Sequence, residues 1–124
     1  MTSSFVAPAY GDRSLADVLP AVARALGVDA ELEPPASLEL PEAASYVVFL
    51  VDGLGFELLR DHPEEAPFLH AHLGTPATVG VPSTTATSLT SFGTALVPGS
   101  HGVVGFTSRI PGTEDLLNAL YWSS

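Results

Sequence analysis

Residues 81–102, VPSTTATSLTSFGTALVPGSHG, crowd hydroxyl side chains together, contain no charged residue and close on a histidine and a glycine. A hydroxyl is a poor nucleophile at neutral pH, so chemistry at one of them needs a base or a metal ion to favour its alkoxide. Thr85 is the best placed, because the pattern starts a helix there and a helix N-terminus favours an anion such as phosphate. Ser83, Thr84 and Thr85 are equally ordinary capping residues, so both uses stand. Asp52 is the second candidate. It ends an apolar run, and a carboxylate at the C-terminal end of a buried strand lies where open α/β sheets bind ligands. Capping the next helix is its other use.

Other motifs carry less. GLGFEL, residues 53–58, supplies two glycines of a dinucleotide fingerprint but has Leu58 at the third position. A Walker loop is excluded, because the chain has no lysine to bind phosphate. His70 and His72 are two residues apart and do not face one another on a helix, so neither they nor His62 are read as metal ligands.

The elements that must position these residues follow from pattern. Residues 1–13 lack periodicity and are expected to form a loose arm. Ser14 then caps a helix bearing Leu15, Val18, Leu19, Val22, Ala25 and Leu26, which Pro20 kinks or divides and Gly27 ends. Residues 28–44, with Pro34, Pro35 and Pro41 among acidic side chains, suit an extended connection. Residues 46–51, YVVFLV, read as a strand buried on both faces, as in a parallel sheet, with helical cover from FELLRDHP and EEAPFLHAHLG. Val79 and Val81 suggest a second short strand, residues 84–96 a helix, VPGSHG a turn and VVGFTSRI a further strand or extended segment.

Composition narrows the classes. The 124 residues allow one small domain, and 46% hydrophobic content is too high for disorder. Fourteen acidic residues against four arginines give a net charge of −10, which opposes a nucleic-acid surface or an anionic membrane. Without cysteine, any metal must be held by carboxylate, imidazole or hydroxyl groups. No leader peptide and no apolar run of spanning length is evident, so a cytoplasmic location is expected.

Together these residues resemble the alkaline phosphatase superfamily, and within it the type I phosphodiesterase/nucleotide pyrophosphatase family. The likeness rests on VVFLVDGLG, the hydroxyl-rich segment about 30 residues later, and TALVPGSHG, residues 94–102, which matches a T-G-x-x-P-x-x-H-G turn with Ala95 in place of glycine. It covers residues 45–124. Residues 1–44 are then an arm, helix and Pro-rich connection, and 45–124 the N-terminal portion of a catalytic domain.

The resemblance implies a partial three-layer α/β/α sandwich with a mainly parallel sheet, and hydrolysis of a small phosphoester or nucleotide. It makes Thr85 the nucleophile by a gapless count from the turn, with Thr84 the fallback. It makes Asp52 and Thr85 metal ligands for two divalent ions of the zinc type, and gives His101 a structural role. The family's Phe-Pro-Asn-His after the threonine is Ala86, Thr87, Ser88 and Leu89 here. Its downstream Asp-x-x-x-His and Asp-His ligands do not follow Thr85, so the chain is expected to be an N-terminal fragment, inactive alone. The alternatives are a phosphonoacetate hydrolase, phosphomutase or sulfatase of the same superfamily, or a noncatalytic α/β binding module.

Overall fold

The computed structural model describes residues 5–28, 31, 33 and 35–121. They form two compact units, one joining the described residues up to Tyr46 with those from Thr78 onward, the other comprising Val47–Ala77. Both helices and strands occur, so the chain is of α/β type.

In the first unit a 3-10 turn, Leu15–Asp17, leads into α1, Val18–Ala25. The SLAD sequence organises this start. Asp17 is buried, and its carboxylate accepts hydrogen bonds from the Ser14 amide at 2.7 Å, the Ser14 hydroxyl at 2.5 Å and the Gly11 amide at 3.1 Å. Three donors offset the loss of water around one carboxylate. Pro20 falls in the first turn of α1, where an amide hydrogen would have no partner within the helix. The far end closes at Gly27, with φ +68°, as the Gly27 and Val28 amides turn back to the carbonyls of Arg24 and Ala23. This is the left-handed glycine closure expected of a Schellman motif.

Helix α4 is Thr85–Thr94, and it packs on the 3-10 turn and on α1. The buried residues of these elements are small: Ser14, Ala16, Asp17, Pro20 and Ala21 on one side, and Ala86, Thr87 and Ser91 of α4 on the other. A short helix α5, Pro98–His101, follows, and Gly102 leaves it at φ +76°. Strands β1, Thr107–Arg109, and β2, Leu116–Asn118, then form an antiparallel hairpin with Ser108 opposite Leu117. The extended segment foreseen at VVGFTSRI contains β1; its partner β2 was not foreseen.

Residues 9–13 are not a loose arm, because backbone and side-chain hydrogen bonds tie them to Thr78 and Val81. The strand expected at Val79 and Val81 is reduced to an isolated parallel bridge between Ser14 and Thr78. The Val81–Pro82 peptide is cis.

The second unit contains α2, Phe56–Asp61, and α3, Pro67–Ala71, which pack together as the expected helical segments. The apolar run before them departs from expectation. Residues 47–51 belong to no strand, and Val47 and Phe49 are 94% and 86% exposed. A strand acquires its backbone hydrogen bonds from neighbours, and among the described residues the only sheet is the β1–β2 hairpin.

Candidate active site

Thr84 and Thr85 stand side by side in sequence and differ in duty. Thr84 is the N-cap of α4, with extended backbone, and its hydroxyl oxygen accepts the Thr87 amide at 3.3 Å and meets the Thr87 hydroxyl at 2.8 Å. Thr87 is fully buried, so this pair fixes the geometry of the helix start. Thr85 is the first residue of the helix proper, half-buried, at the end where the helix dipole is positive.

Several remaining hydroxyls of this stretch have structural tasks. Thr90 and Thr94 donate to the carbonyls four residues earlier, at 2.8 and 2.7 Å. Ser91 is buried and lies 2.9 Å from Nε2 of His101, which joins α4 to α5. The ring's other nitrogen, Nδ1, accepts the Val103 amide at 3.0 Å. An amide can only donate, so Nδ1 carries no proton, and neutral His101 donates from Nε2 to the Ser91 oxygen. Burial holds the imidazole pKa below its ordinary value of 6.5.

Helix α4 ends at Ala95, whose backbone is left-handed at φ +58°, ψ +18°. Glycine adopts this conformation without a Cβ penalty, which accounts physically for a glycine at the corresponding place in the T-G-x-x-P-x-x-H-G pattern.

Asp52 belongs to the second unit and is exposed in a turn with Gly53 at φ +71°. It does not cap α2: Gly55 is the N-cap, and the intervening glycines delay the helix by a few residues. His62 and His72 instead close the two helices of this unit, their Nδ1 atoms donating to the carbonyls of Leu58 and Phe68 at 2.9 and 2.7 Å. The His72 ring also lies against Phe68, with centroids 4.5 Å apart.

The sequence reading missed the Asp17 network, although Ser-x-x-Asp is a recognisable capping pattern. It also missed Ser91, which is a common residue with no local signal of its contact to His101.

The model of the type I phosphodiesterase / nucleotide pyrophosphatase family matches residues 46–122, more than half of the chain, and the chain belongs to that family. Neither the curated proteins nor the solved structures provide a significant match.

The family is generally metal-dependent. Among the described residues, however, no three His, Asp or Glu side chains gather to hold an ion. A catalytic zinc ion takes three protein ligands, more than the two residues, Asp52 and Thr85, that the sequence pattern names. The two-ion set does not fit these residues by themselves. No helix among the described residues is long and apolar enough to cross a membrane.

Proposed function

We propose that Thr85 is the nucleophile of a phosphodiesterase/nucleotide pyrophosphatase-type reaction on a small phosphoester or nucleotide. The single observation that carries this reading is the family match over 46–122. Within that span Thr85 leads a helix while the adjacent Thr84 is committed to its cap. The positive end of α4 favours the phosphoryl group. The Thr85 oxygen forms a bond to phosphorus, the ester oxygen departs, and the proton lost by the hydroxyl leaves, overall, on the released alcohol. Water then hydrolyses the phosphothreonine.

Asp52 is the proposed carboxylate ligand of a divalent ion of the zinc type. A catalytic ion needs further ligands beside Asp52 and Thr85, and the 124-residue chain alone is expected not to turn over phosphoesters. The run at 47–51, which belongs to no strand, supports the same view: it becomes a paired strand in a three-layer α/β/α sandwich with a mainly parallel sheet, once neighbouring strands are supplied.

Two measurements test this. In a polypeptide that carries this sequence and supplies the missing ligands, quenching during turnover of a nitrophenyl phosphodiester and mapping the phosphate by mass spectrometry places it on Thr85. Phosphate on Thr84 overturns the assignment. For the 124-residue chain, calorimetric titration with zinc shows only weak binding, and stoichiometric uptake of two ions refutes the need for outside ligands.

A further inference from the structure

We infer that residues 9–17, which lie outside the family-matched span, are a brace that positions the nucleophile helix, with Thr78 and Tyr10 as its positioning residues. The functional meaning of the brace rests on the Thr85 reading; its existence does not.

The argument begins with the main chain leading into α4. Thr78 stands seven residues before Thr85, and all of its polar groups are engaged by the N-terminal segment. Its hydroxyl accepts the Ala9 amide at 2.8 Å and donates to the Arg13 carbonyl at 3.2 Å. Its amide donates to the same carbonyl at 3.0 Å, and its own carbonyl accepts the Leu15 amide at 2.9 Å. Three residues on, the Val81 amide donates to the Tyr10 hydroxyl at 3.3 Å. Between these anchors Gly80 is buried, with space for a Cβ closed off by Pro98 and by the Tyr10 hydroxyl. The approach to Thr85 is thus tied on one side to residues 9–15 and pressed on the other by the start of α5.

The helix itself is held by the same segment. Ser14, Ala16 and Asp17 are buried where the 3-10 turn meets α4, whose buried residues are Ala86, Thr87 and Ser91. Ala86 and Thr87 directly follow Thr85. The three bonds to the Asp17 carboxylate keep residues 11–17 in one shape, so the brace is itself rigid. Attack on phosphorus depends on a fixed approach, and small displacements of the attacking atom carry large rate losses. A segment that holds both the lead-in and the inner face of α4 meets that requirement.

Amide hydrogen exchange on the 124-residue chain tests the brace without any need for turnover. Thr78→Val keeps the shape but removes the hydroxyl, and peptides covering 79–90 are expected to exchange at least about tenfold faster while the 107–118 hairpin is unchanged. Thr78→Ser restores the hydroxyl and returns exchange to within about twofold of the parent, a rescue that a role in shape alone would not produce. Tyr10→Phe is the second variant should Thr78→Val not fold, with an expected rise of about threefold confined to the 79–90 peptides. Equal acceleration in both regions, or none in 79–90, overturns the brace. Phosphate mapped to a residue other than Thr85 would instead overturn the nucleophile and leave the exchange result standing.

Discussion

Replacing Ala95 by glycine should stabilise this protein, although the same change within a helix is destabilising. Ala95 sits at φ +58°, ψ +18°, immediately after the last residue of α4. The left-handed region costs an L-residue with a Cβ about 1–2 kcal/mol. Glycine removes that cost but gives the unfolded chain more freedom, which returns about 0.4–1 kcal/mol. The net expectation is a gain of about 0.5–1 kcal/mol, or a rise in melting temperature of about 2–5 °C for a chain of this size. Urea and thermal unfolding followed by helical circular dichroism measure it, with Ala95→Val as the opposite control, since a β-branched residue is strained further at positive φ. The sign decides. If Ala95 were an ordinary helical residue, glycine would cost about 1 kcal/mol, and a lowered midpoint for Ala95→Gly would refute the left-handed turn.

Gly80→Ala places a Cβ 2.8 Å from the Pro98 ring, and because that ring cannot swing aside, urea unfolding should show a loss of about 1–3 kcal/mol. Thr84→Ala removes the cap of α4 and the partner of the buried Thr87 hydroxyl; the expected loss is about 1–2 kcal/mol, with most of it recovered by Thr84→Ser. His101 has its pKa lowered by burial, so the unfolded chain takes up a proton first on acidification. Its contribution to stability is complete above about pH 6.5 and declines as pH falls from there through the folded-state pKa, and His101→Gln should flatten that part of the stability profile. An unchanged slope in the variant would assign the pH dependence to other groups.

The parts of the molecule that sequence made visible are those governed by neighbouring residues. The helix after Ser14, its closure at Gly27, the entry to α4 at Thr84 and the turn after Val97 all follow from capping and glycine chemistry within a few positions. Pairing is not local. Residues 46–51 have the composition of a buried strand, yet composition cannot supply the neighbour that completes a ladder. Thr78 gave no signal because its partners, Ala9 and Arg13, are more than sixty positions away. The short β2 lacks β-branched side chains and becomes a strand only opposite β1. At the candidate site, Thr84 and Thr85 were distinguishable only by counting back from the turn, and the structure adds the reason Thr84 has another task. For Asp52 the pattern leaves both capping and ligation open, and what local sequence does not reveal is that the N-cap of α2 falls on Gly55.

The small residues buried between α1, the 3-10 turn and α4 set the thermal character of this unit. Its buried apolar side chains are alanines and prolines such as Pro20 and Pro98, and Ser14, Asp17, Thr87 and Ser91 fill the remaining space. Large apolar groups such as Phe5, Leu26, Phe106 and Leu116 are already in water when the chain is folded. Unfolding therefore hydrates little additional hydrocarbon while exposing amides and hydroxyls, which lower the heat-capacity increment. The increment should fall below the usual value of about 12–15 cal/mol/K per residue, and the stability curve should be correspondingly flat. Cooling then takes little stability away, because the driving force that weakens in cold water was a small part of what holds α4 in place.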